Sequence, residues 1–305
     1  MAATTSPPTT GPFPLTRGRT AALVIGVPVC LALIAGTGLN LVATFGEGRY
    51  PVNYTVPASS RSLNVTVAGG QVAIRQVAAS QATITGTARY SLVRSKVTEQ
   101  TTSSGTTLGY HCPVPFGDCE LDATINDPAT LPVSADTDGG NASVTGTTSK
   151  VTLSTGGGNI AADHTSGPLT LNTSGGNIQA TAIRSATMTA TSGGGDINAA
   201  GVTSHAISAT TSGGNIQATD ISAVTVTAGS GGGNIEIDFT RVPGHVDVDT
   251  SGGNITLVLP PGDTVYDVTA HTAGGEVTDT VPHSTSSQHV ITATSGGGNI
   301  SIVNQ

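Results

Sequence analysis

The 305-residue sequence contains no Trp, four Phe and five Tyr, so aromatic side chains make up 3% of it. Rings supply much of the volume of wide globular interiors, and a chain this poor in them suits a long, thin core of small aliphatic side chains. Charged residues account for 10%, Lys96 and Lys150 are the sole lysines, and the formal net charge is −8. That balance offers no basic groove for phosphates, so nucleic acid is not an expected partner. Cysteines number three; Cys112 and Cys119 have only His111 beside them, too few ligands for a metal centre. No cofactor is expected.

Glycine is abundant, with 41 residues, and much of it recurs in one setting. A Ser/Thr-Gly-Gly-(Gly)-Asn-Ile turn returns about every 19 residues, its polar corner falling at Asn141, Asn159, Asn177, Asp196, Asn215, Asn234, Asn254, Glu276 and Asn299. A fixed period of this length predicts stacked coils, because one unit cannot bury its own apolar face and needs a neighbour above and below. Glycine suits a sharp corner by accepting φ > 0, and Asn repeated at one height can form a side-chain ladder. The corners are therefore read as architecture first.

Counting back from each corner gives three inward columns spaced by two, the mark of a strand with one buried face. Eight residues back stand Val151, Leu169, Met188, Ile207, Val226, Val246, Val268 and Ile291; six back the column runs Leu153, Leu171, Ala190, and four back Thr155, Thr173, Ser192. After the corner a second short strand opens on Ile160, Ile178, Ile197, Ile216, Ile235, Ile255, Val277 or Ile300, and Asp279 breaks the column two residues later. Ile183, Val202, Ile221 and Phe239 suggest a third face. The expected fold is an all-β parallel β-solenoid over 131–305, a rod on the order of 40 Å at roughly 4.8 Å per coil. No cap is visible near Gln305, so that end is expected to be frayed or to meet a partner.

Ahead of the repeats the chain divides by composition. Residues 1–20 form a Pro/Thr-rich tail with Arg17 and Arg19, and 21–45 an uncharged apolar run long enough to span a bilayer core of about 30 Å. The basic flank places the tail in the cytosol and the remainder outside a cell membrane crossed once. A cleaved signal peptide shares these parts, but its apolar core is shorter, about 7 to 15 residues, which favours an uncleaved anchor. Cys30 lies within the run. Residues 46–61 read as a linker and 62–130 as an irregular β cap, in which Gly69-Gly70 looks like a degenerate corner. In that compartment Cys112 and Cys119 are expected to pair as a disulfide pinning a hairpin.

Candidate chemistry is thin. The histidines His164, His205, His245, His271 and His289 fall at different offsets from the corners and form no column. Asp247 and Asp249, with Glu236 and Asp238 about ten residues earlier, could hold a hard cation through oxygen ligands or serve as glycosidase acids; as a solvated face they need no function. The outward positions seven before each corner are almost all hydroxylated, from Thr152, Thr170 and Thr189 to Thr292. Such a ladder could meet a polar polymer, although Thr also suits exposed strands by β-propensity.

The order of these parts, an apolar N-terminal run, the Cys112 to Cys119 segment, a Leu131-Pro132-Val133 lead-in and repeated Gly-Gly-Asn/Asp-Ile corners, resembles the bacterial candidate-adhesin family known as domain of unknown function 4097. The similarity extends from about Ser62 to Gln305, with Asn at most corners where many members have Asp. It implies a membrane-tethered surface β-solenoid without catalytic residues, and fold alone carries no activity. The expected function is non-enzymatic surface binding, to cell-wall polysaccharide or to a membrane or surface protein. Two alternatives stay open: a carbohydrate-active β-helix enzyme, and an envelope-stress or signalling ectodomain.

Overall fold

Alternation of apolar and hydroxylated residues gives strands, and close-set glycines end them; in a computed structural model the outcome is an all-β parallel β-solenoid with coils of about 19 residues. The structure describes residues 47–91, 93–113, 119–128 and 131–305. The expected cytosolic tail 1–20, the apolar run 21–45 and Cys30 lie outside the described residues. No helix among the described residues is long and apolar enough to cross a membrane.

The strands of the N-terminal part are β1 (Glu47–Thr55), β2 (Leu63–Val67), β3 (Val72–Gln76), β4 (Thr83–Ser91), β5 (Lys96–Thr102), β6 (Gly105–His111) and β7 (Cys119–Asp127). The repeats contribute β8 (Val133–Thr137), β9 (Ala142–Thr145), β10 (Val151–Thr155), β11 (Ile160–Asp163), β12 (Leu169–Thr173), β13 (Ile178–Thr181), β14 (Arg184–Ser192), β15 (Ile197–Ala200) and β16 (Thr203–Thr211). They continue with β17 (Ile216–Ser230), β18 (Ile235–Phe239), β19 (His245–Thr250), β20 (Ile255–Leu259), β21 (Asp267–Thr272), β22 (Val277–Asp279), β23 (Val290–Ser295) and β24 (Ile300–Asn304). Each coil places one strand in a front sheet and, past the glycine corner, one in a back sheet; β17 is continuous and serves both.

The core is the space between the two sheets. In the front sheet Val151, Leu169, Met188, Ile207, Val226 and Val246 lie in register, and in the back sheet Ile160, Ile178, Ile197, Ile216, Ile235 and Ile255. All are buried, as the period-two pattern requires. Ile183, Val202, Ile221 and Phe239 are also buried, but they line the second corner, where the chain crosses back to the front sheet, and not a third sheet.

Order along the axis departs from order in sequence at both ends. The coil β2–β3 pairs with β8–β9 on one side and with β6–β7 on the other. At the far end β23–β24 pairs with β19–β20 and with β21–β22, so the last coil in sequence lies inside the stack and the preceding one covers it. Thus Leu63–Gln76, expected in the irregular cap, forms a regular coil, and the expected frayed end near Gln305 is internal. Val277, at 40% exposure, and Asp279 occupy inward positions that need no packing partner because no further coil covers them. Asp279 instead accepts from Val281 N at 3.1 Å and faces His283 Nε2 at 3.0 Å.

The opposite end is closed by antiparallel pairing, β1 with β4 and β4 with β7 in the back sheet, β5 with β6 in the front. Glu47–Thr55 is therefore a nine-residue strand and not linker: Val52 is buried there, and Tyr50 and Tyr54 pack against the core. Cys112 and Cys119 are disulfide-bonded with Cα atoms 5.9 Å apart. They do not pin a hairpin, because β6 and β7 belong to different sheets; the bridge closes the corner between them, where the next coil has glycine. Tyr110, 1% exposed, fills the space beneath, donating to Arg89 O and accepting from Ser95 Oγ, both at 2.7 Å.

Candidate functional site

The corners form one continuous device. The side-chain Oδ1 of Asn141 accepts from Asn159 N at 2.8 Å, Asn159 Oδ1 from Asn177 N at 2.8 Å, and Asn177 Oδ1 from Asp196 N at 2.8 Å. Asp196 accepts from Asn215 N at 2.7 Å, and the ladder continues through Asn234 and Asn254 to Asn299 and, last, Glu276. Each rung satisfies a backbone donor that the turn would leave without a strand partner. These residues are spent on the stack, and their regularity carries no ligand chemistry.

Behind the ladder the buried Ser/Thr column does a second job that its small size alone did not reveal. Thr155 Oγ1 donates to Gly140 O at 2.8 Å and accepts from Gly158 N at 3.1 Å; Thr173, Ser192, Thr211, Ser230, Thr250, Ser295 and Thr272 repeat the pattern. Glycine before the Asn is required by this closeness. A Cβ on Gly158 would lie 2.0 Å from Gly140 O, and one on Gly176 would lie 1.9 Å from Gly158 O. The expectation of left-handed corner glycines holds only at Gly70, with φ of 100°. Positive φ occurs instead at the second corner, at Gly146, His164, Ala182, Gly201 and Asp220, and at Gly262 in the loop after β20.

The outward face of the front sheet is the candidate site. A groove of about 620 Å³ runs across five coils, lined by Asp136, Ser154, Asn172, Thr191 and Thr210 from the strands and by the corner residues Ser174 and Ser212. Asp136 and Asp138 lie at its end toward β8. Desolvation, and then the charge of Asp138, raise the pKa of Asp136 above the ordinary carboxylate value. The hydroxyl column at Thr152, Thr170, Thr189 and Ser208 is in register beside those strand positions. Periodicity located the column, but not the corner residues that help to line the groove.

The acids singled out by sequence do not converge. Asp247 and Asp249 are on β19 in the front sheet, whereas Glu236 and Asp238 are on β18 in the back sheet, so the two pairs face opposite sides of the rod. Asp238 accepts from Gln305 Nε2 at 2.6 Å. No group of three or more His, Cys, Asp or Glu capable of holding a metal occurs among the described residues. His164 faces only Asp163, at 2.8 Å, and His289 bonds Pro243 O at 2.8 Å.

Two stacked parallel sheets joined by glycine corners, closed at one end by antiparallel strands, define a two-sheet β-solenoid. The Toastrack DUF4097 family model matches residues 61–304, and the chain belongs to that family. A candidate lipid binding protein from Parabacteroides distasonis has a similar solved structure, with TM-score 0.50, 14% identity, and coverage of 84% of this chain and 96% of that one. A candidate adhesin from Bacteroides fragilis is similar with TM-score 0.46 and 17% identity, over 85% of this chain and 97% of that one. The sequence matches no curated protein.

Proposed function

We propose that this protein is a non-enzymatic, adhesin-like surface protein, tethered to the cell membrane through residues 21–45 with its tail 1–20 in the cytosol, and that it binds a polar polymer along the front sheet. The observation that carries the reading is the groove over Ser154, Asn172, Thr191 and Thr210, whose hydroxyl and amide groups repeat at coil spacing. A repeating polar surface matches a repeating polar ligand, and cell-wall polysaccharide is the partner class that best fits. Binding along an open, hydroxylated groove without a deep pocket favours retention over turnover.

Three features weigh against the carbohydrate-active enzyme. The acid pairs face opposite sides of the rod. The tyrosines Tyr50, Tyr54, Tyr90 and Tyr110 are gathered in the cap, away from the groove. No aromatic residue lines the groove as a platform for sugar. Lipid, the ligand class in the name of one solved relative, is not favoured here: the apolar void beside Met188, Ala199, Ala209 and Ala218 offers about 20 Å³, room for about one water-sized probe.

The test is a panel of cell-wall and host glycans scored for both retention and chain cleavage. Retention without cleavage, lost in a Thr191→Lys/Thr210→Lys variant that fills the groove, is the expected result. Cleavage abolished by Asp247→Asn with Asp249→Asn would replace this reading with the enzyme. Absence of both retention and cleavage would move the partner to a membrane or surface protein.

A further inference from the structure

The end of the rod farthest from the disulfide is assembled out of order. The coil β21–β22 pairs only with β23–β24, and β23–β24 pairs in addition with β19–β20. The last coil in sequence therefore fills a slot between two others, held from both sides. On one side Asn299 N donates to Asn254 Oδ1 at 2.8 Å and Ser295 Oγ to Gly253 O at 2.9 Å. On the other, Glu276 N donates to Asn299 Oδ1 at 2.9 Å and Thr272 Oγ1 to Gly298 O at 2.7 Å.

The residues in the slot fix this order. In the inserted coil Ile291, Ala293, Ile300 and Ile302 are fully buried. The covering coil carries Val277 and Asp279 at the positions in register with Ile300 and Ile302. Placing Asp279 inside the stack would bury a carboxylate between two apolar coils, a strongly unfavourable exchange. The order seen is thus specified by sequence, and the cap has no paired strand to rest on until 290–304 is in place.

We infer that this slot is a strand-exchange site whose occupant from outside is the same coil, Val290–Asn304, of a second copy of the chain. A coil arriving from a second molecule would form every contact that the resident coil forms, so the choice between them is set by effective concentration and not by contact energy. The segment Thr280–His289 joins β22 to β23, so release of the last coil leaves it tethered and free to enter a neighbour's slot. Exchange links two rods end to end through their caps, leaving the front-sheet groove of each uncovered.

The experiment uses the intact protein and a fluorescent synthetic peptide spanning Val290–Gln305. In native-state hydrogen exchange, the amides of β21–β22 should be no better protected than those of β23–β24, since the cap has no other paired neighbour. Under mild denaturant that opens both β21–β22 and β23–β24 and so vacates the slot, the labelled peptide should then be retained by the protein on gel filtration. A Gly297→Ala peptide, whose added Cβ finds its nearest neighbour at 3.8 Å, should be retained equally. A Gly298→Ala peptide, whose Cβ would lie 2.0 Å from Gly253 O, should be retained at least tenfold less. Better protection of β21–β22 than of β23–β24, failure of the slot to open below global unfolding, no uptake when it is open, or equal uptake of the two glycine variants would each overturn the inference.

Discussion

The backbone N–H of Glu276 donates to the side-chain Oδ1 of Asn299 at 2.9 Å, although Asn299 lies 23 residues later in the chain. The rungs at Asn159, Asn177, Asp196, Asn215, Asn234, Asn254 and Asn299 each donate to a side chain earlier in sequence. The inversion explains why Glu is tolerated at this corner alone: it ends the ladder and needs only to donate. Asn299→Leu should lower stability by about 1 kcal/mol through loss of this bond, while Glu276→Ala should stay within about 0.5 kcal/mol of wild type. Urea unfolding of the two variants measures the difference.

Two neighbouring glycines should respond oppositely to one methyl group. Gly175 has nothing within 4 Å of an added Cβ, whereas at Gly176 the Cβ would sit 1.9 Å from Gly158 O. Gly175→Ala should shift stability by less than about 1 kcal/mol, and Gly176→Ala should cost about 3 kcal/mol or more, because backbone must move in two coils. Thermal melts read by circular dichroism compare the pair.

Ala182 and Asp220 hold φ of 54° and 55°, a region that costs a side-chain-bearing residue about 1–2 kcal/mol. Gly146 and Gly201 occupy the same place in other coils. Ala182→Gly should therefore raise stability by about 0.5 kcal/mol after the larger unfolded-state entropy of glycine is offset. A raised denaturation midpoint with an unchanged m-value would show it.

Asp136 binds its proton more tightly in the folded state than in the unfolded chain, chiefly through desolvation and secondarily through Asp138. A carboxylate with raised folded pKa lowers stability once pH exceeds that pKa and costs nothing below the unfolded value, about 3.9. Asp136→Asn should be more stable than wild type at neutral pH, with the advantage fading as pH falls through the raised folded pKa and gone below about 4. Melting temperatures of both proteins across pH 3 to about 8 give the comparison.

Much of the rod was legible because its signal is local and repeated. Val151, Leu153 and Ile160 recur at one spacing, and a two-residue period leaves one choice of buried face. What spacing could not show was which coil lies beside which. The hints were Glu276 and Asp279, departures that fit a coil with one open side, and Cys112 with Cys119, which stand where the neighbouring coil has Gly69-Gly70. The role of Thr155 was hidden for another reason. A small inward Thr satisfies packing by itself, and only the 2.8 Å approach to Gly140 O reveals what the hydroxyl does. The groove takes in corner residues such as Ser174 and Ser212 beside the strand positions, a juxtaposition that no pattern of residue types records.

The sameness of the rungs between Asn141 and Asn254 makes the middle of the rod a ruler with interchangeable graduations. Excision of a whole unit, such as Ile178–Asp196, would set Asn177 against Ile197 and reproduce the junctions already present, shortening the molecule by about 4.8 Å. Both closures would be untouched by such a change. The length of the rod can therefore vary in steps of one unit without any new contact having to be invented.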